Sequence, residues 1–153
     1  MFAKRCASIF VLLAATTAGI GAAEERPSIE FTKDSLEVVQ RNIAKQKAVL
    51  VDVRSKEEWK EGHIKGSIFL PVTSLRKHSF DAKKVAKSLP KKKEKKVLYT
   101  FCVVGMRAKQ AGVILQREGY TVRVLKPGYE ELLEAGFEKG QDAPKERPND
   151  TAN

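Results

Sequence analysis

Cys102 and Arg107 enclose four residues, Val103, Val104, Gly105 and Met106, in the segment "FCVVGMRAKQAG". A thiolate is the nucleophilic form of cysteine, and an arginine a few residues away supplies a permanent cation. Gly105 permits a curled backbone whose N–H groups turn inward as a cradle for negative charge. The set suits covalent nucleophilic chemistry on a small group carried by the sulfur. A buried, inert cysteine is the plainer reading, and free cysteines are among the most buried residues. The electropositive setting at a strand-to-helix turn weighs against it. Asp52, Arg54, Glu58 and His63 form a second polar group, better suited to tying strand ends and loops together than to meeting substrate. His63 and His78 are isolated from one another and from the cysteine, so no metal-ligand spacing exists and no cofactor is expected.

These residues need elements to hold them. "VLYTF", Val97 to Phe101, reads as a strand ending at Cys102, and Met106 to Glu118 as a helix stopped by Gly119. The helix N-terminus therefore lies close to the sulfur, where its free N–H groups and dipole favour an anion. "AVLVDV", Ala48 to Val53, is β-branched and almost continuously apolar, as in a strand covered on both faces. Leu36, Val39 and Ile43 have helical spacing, with Asp34 or Ser35 as cap. A short strand is expected through Ile68 to Leu70, a helix over Asp81 to Leu89 ended by Pro90, a last strand in "TVRVL" and a last helix over Tyr129 to Ala135. Strands alternating with helices predict an α/β fold: a mostly parallel central sheet of about five strands, with helices on both faces. Ligands in such sheets bind beyond the carboxyl ends of the strands, where Cys102 falls.

A chain of 153 residues with 42% apolar content is one domain's worth of core. The formal charge of +10 admits anionic partners without choosing one. "KKKEKK" at 91–96 lacks interleaved aromatics and reads as a solvated connection, so nucleic acid is not expected. Lys4 and Arg5, the uncharged stretch from Cys6 to Ala23 and the small residues Gly21-Ala22-Ala23 have the three-part form of a signal peptide. The expectation is an exported, periplasmic or secreted protein starting near Glu24, with no stable membrane insertion after cleavage; an uncleaved anchor is the alternative. Cleavage would remove Cys6 and leave Cys102 as a lone thiol, excluding a disulfide framework within the mature monomer. Expected boundaries are 1–23 for the signal peptide, 28–140 for the domain and 141–153 for a disordered tail.

Three segments together resemble the rhodanese family of sulfurtransferases. In "VDVRSKEEWKEGHIKGSIFLPV", Asp52, Arg54, Glu58, Trp59, Gly62, His63, Ile64, Gly66 and Pro71 fall on the family pattern. Cys102 to Arg107 resembles its active loop, and "VRVLKPGYEELLEAGF" its terminal strand, glycine turn and helix. Lys65, Ser67 and Pro127 depart from the pattern in supporting turns. The resemblance implies a rhodanese-like domain that moves a sulfane sulfur from thiosulfate or a related small anionic donor to a thiol or cyanide, through a Cys102 persulfide. Backbone N–H groups of Val103, Val104, Gly105, Met106 and Arg107 would hold the charged sulfur. Val103 and Val104 stand where polar or basic residues are frequent, which bears on substrate preference and suits a protein thiol. The alternatives are a persulfide-carrying or protein-binding module without turnover and, further off, a phosphatase or arsenate reductase. Those related folds place five residues between cysteine and arginine, a wider cradle for a tetrahedral oxyanion.

Overall fold

A computed structural model describes residues 28–76 and 81–141. The expected signal peptide, His78 and almost all of the expected tail lie outside the described residues. Strands β1 (Ala48–Asp52), β2 (Ile68–Phe69), β3 (Val97–Phe101) and β4 (Thr121–Val124) form one sheet in the order β2-β1-β3-β4. All three pairings are parallel, with Leu50 opposite Tyr99 and Tyr99 opposite Arg123. Among the described residues the sheet thus has four strands, against the expected five or so. At the outer edge Phe31 makes a single parallel bridge to Val124, and the Thr32 N–H donates to the Val124 carbonyl. The segment then turns away toward Ser35, so a fifth strand does not develop.

Among the described residues six α-helices accompany the sheet: α1 (Leu36–Ala44), α2 (Lys56–Glu61), α3 (Val72–Arg76), α4 (Ala82–Ser88), α5 (Met106–Arg117) and α6 (Tyr129–Glu134). Ser35, not Asp34, caps α1, its hydroxyl accepting from the Val38 N–H. Asp34 instead accepts from the Tyr99 hydroxyl at 2.5 Å and from Arg123, pinning the entry of α1 to the sheet. Ser55 and Glu58 form a reciprocal capping box that starts α2. The turn α3 has no counterpart in the sequence reading, because five residues are too few to show helical periodicity. "KKKEKK" holds a single 3₁₀ turn, Lys92–Glu94, with its lysines at the surface apart from half-buried Lys96.

Strand alternation divides the core in two. Val51, Val53, Leu98 and Cys102 join Ala108, Ala111 and Leu115 of α5 on one face. Leu50, Tyr99 and Phe101 join Val39 of α1 and Leu132 of α6 on the other. Both faces of β1 and β3 are therefore covered, which explains their nearly unbroken apolar character. Cys102 is in phase with Leu98 and Thr100, whose hydroxyl donates to the Ala108 carbonyl. The period of the strand thus aims Cys102 at the α5 side of the sheet.

Candidate active site

The loop Cys102–Gly105 links the carboxyl end of β3 to the start of α5. Gly105 adopts φ +83° in the left-handed region, and a Cβ there would approach the Phe31 ring to 2.5 Å. Both constraints require glycine. The resulting turn brings the Gly105 N–H to the Cys102 sulfur, donating at 3.1 Å. Cys102 itself is only 1% exposed, enclosed by the core beneath and its own loop above. Gly128, at the entry to α6, braces the loop from the other side. A Cβ at Gly128 would run into the Val103 carbonyl oxygen and lie 2.9 Å from that of Cys102, so glycine lets the two backbones touch.

Arg107 reaches across to α2 and donates to both carboxylate oxygens of Glu58, at 2.5 and 2.7 Å. This fork is the strong form of an ion pair and fixes the loop to α2. The Arg107 hydrogen bond, working against burial, holds the Glu58 carboxyl down at about 2. Arg107 is pushed up in turn, first by Glu58 and to a lesser degree by the Cys102 sulfur. Much of the Arg107 charge is therefore matched within the protein.

Asp52 and Arg54 form a buried pair at the end of β1. The Arg54 Nε and Nη2 donate to the Asp52 carboxylate at 2.7–3.0 Å, and Nη2 also donates to the Gly62 carbonyl at 2.7 Å. The guanidinium lies 4.3 Å over the Tyr129 ring. Burial pushes the Asp52 carboxyl up while Arg54 pulls against it. His63 stacks on Trp59 with ring centres 4.2 Å apart and planes 9° from parallel. Its carbonyl accepts from the Gly140 N–H, so the His63 segment is held by the chain's return after α6. The structure brings Cys102, Gly105, Arg107 and Glu58 into one connected set, with Arg54 bordering it and His63 engaged elsewhere.

Beside the loop lies a cleft of about 340 Å³ lined by Arg54, Glu58, Glu61, Val103, Tyr129 and Glu130, among others. Glu61, Tyr129, Glu130 and Lys139 are absent from the sequence reading of the site. For Tyr129 and Glu130 the available signal was the segment after β4, since every parallel strand delivers its following loop to the same pole of the sheet. Among the described residues no group of acidic, histidine or cysteine side chains could hold a metal.

Residues 35–135 match the model of the rhodanese-like domain. The chain belongs to the rhodanese-like family. A human single-domain sulfurtransferase is similar at 34% identity and a TM-score of 0.52, over 65% of this chain and 92% of that one. A protein from Bacillus halodurans is similar at 27% identity and a TM-score of 0.55, over 69% and 73% of the two chains. The thiosulfate sulfurtransferase from Pseudomonas aeruginosa, at 21% identity and a TM-score of 0.52, shares the fold over 69% of this chain and 19% of its own. Among curated proteins no match was found. The α/β architecture with a parallel sheet flanked by helices agrees with the rhodanese fold.

Proposed function

We propose that this protein is a sulfurtransferase that carries a sulfane sulfur on Cys102. The observation that carries the reading is the Gly105 N–H donating to the Cys102 sulfur, inside a four-residue loop closed by Arg107. A donor aimed at sulfur stabilises negative charge there and costs no reorganisation during reaction. In the first step the Cys102 thiolate attacks the outer sulfur of thiosulfate. The new sulfur–sulfur bond forms as the bond to the sulfonate sulfur breaks, and sulfite leaves with that electron pair. In the second step a thiolate or cyanide attacks the outer sulfur, and the electron pair of the breaking bond returns to Cys102.

The N–H groups of Val103, Val104, Gly105, Met106 and Arg107 would hold the persulfide. Arg107 is a positioning residue, acting through Glu58 to keep the loop curled. His63 takes a structural role, its ring stacked on Trp59. Four residues between Cys102 and Arg107 favour one added sulfur atom over a phosphate-sized oxyanion. The signal-like N-terminus supports an exported working compartment.

Intact-mass measurement tests the reading. Thiosulfate should add one sulfur atom to the protein, cyanide should remove it, and Cys102→Ser should show neither event, since a hydroxyl is a far poorer nucleophile. Ready hydrolysis of phosphate esters, with no sulfur gained from any donor, would overturn it.

A further inference from the structure

Val103, Val104 and Met106 are 48%, 68% and 59% exposed, the large apolar side chains that stand out from the described surface. Val103 and Val104 lie on the loop that covers Cys102, and Met106 opens α5 directly after it. Small anions gain nothing from such a rim, whereas an apolar side chain of a partner gains burial on each of them. Val103 also lines the cleft, so the apolar rim and the cleft are continuous.

The charge of the cleft selects the partner further. Glu58, Glu61, Glu130 and Glu131 line it, against Arg54 and Lys139. Arg54 is spent on Asp52, and Glu58 is matched by Arg107. Glu61, Glu130 and Glu131 are exposed and leave the wall negative, although the chain as a whole carries +10. A cationic side chain is favoured there and an anionic one disfavoured.

Resting on the persulfide reading above, we propose that the acceptor is a cysteine of another polypeptide, flanked by apolar residues and by a lysine or arginine. Its apolar neighbours lie on Val103, Val104 and Met106, and its cation enters the cleft near Glu61 and Glu130. The partner thiol gives its proton to the outer sulfur of the Cys102 persulfide and attacks that sulfur as thiolate. The bond between the two sulfurs breaks, Cys102 leaves as thiolate, and the proton stays on the transferred sulfur, now the partner's persulfide. No oxidant is consumed.

The test uses the protein preloaded with sulfur and three blocked peptides, each with one cysteine between two leucines and with outer residues of arginine, serine or glutamate. Transfer rates are compared with that to cyanide. The order expected at low salt is arginine, then serine, then glutamate, with about three- to tenfold between the extremes, shrinking as salt screens the charges. Glu61→Lys with Glu130→Lys should invert that order relative to the variant's own cyanide rate. Val104→Ser should lower transfer to every peptide relative to cyanide. If cyanide unloads Cys102 but the three peptides are accepted equally, the docking inference is overturned and the persulfide reading stands. If no donor places sulfur on Cys102, both are overturned.

Discussion

Glu58 shows how one side chain can serve two elements. Through its backbone N–H and one carboxylate oxygen it completes the capping box with Ser55, and with both oxygens it receives the Arg107 fork. Its carboxyl, ordinarily at 4.5, is held at about 2, so it favours the folded state when ionised. That stabilisation is complete above about pH 5 and is lost as pH falls toward 2. With the pair part-exposed and screened, it amounts to about 1 kcal/mol. Glu58→Gln should therefore lower the unfolding free energy by about this amount at pH 7, with the difference from the parent shrinking toward pH 2. Urea unfolding at the two pH values measures it, and a difference that does not change with pH would count against the pair. Glu58 could be recognised from the family pattern in the sequence, but its partner could not. Spacing reports neighbours on one element, whereas Glu58 and Arg107 meet across 49 residues of chain.

At the scale of elements, the turn from β3 into α5 is held by two glycines of different kinds. Gly105 is required by its positive φ, whereas Gly128, at φ −96°, has a conformation open to any residue and is required by the backbone it touches. Gly105→Ala should cost about 1–2 kcal/mol for the left-handed conformation alone, before any displacement of Phe31. Gly128→Ala should lower both stability, by about 1–3 kcal/mol for the overlap, and sulfur loading. Its Cβ pushes on the carbonyls of Val103 and Cys102, and a displacement of about 1 Å costs on the order of a hundredfold in rate. Denaturation together with persulfide formation from thiosulfate separates the two effects; equal loading by Gly128→Ala and the parent would show that the contact does not position the loop. The strands and longer helices were legible in the sequence because apolar period and length both marked them. α3 and the Phe31 bridge were not, since one turn and one bridge are too short for any period to register.

Across the whole molecule, the parallel sheet gathers the ends of β1, β3 and β4 at one pole, and the Asp52–Arg54 pair sits there at the end of β1. Arg54 ties β1 to the loop after α2 through the Gly62 carbonyl and to α6 through the Tyr129 ring. Both members are buried, Asp52 completely and Arg54 to 4% exposure. A buried ion pair adds little over apolar packing, but removing one partner strands the other charge without water. Asp52→Asn should thus cost about 3–5 kcal/mol, because the remaining amide cannot match the Arg54 charge. Asp52→Asn combined with Arg54→Met should cost less than Asp52→Asn alone, since no uncompensated charge is left inside. The sequence placed both residues at a strand end and assigned them to structure, yet their meeting with Tyr129 depends on the order of strands in the sheet. Urea unfolding of the two single variants and the double variant closes the cycle. Additive losses would mean that the pair is not coupled, and that the pole below Cys102 is held by packing alone.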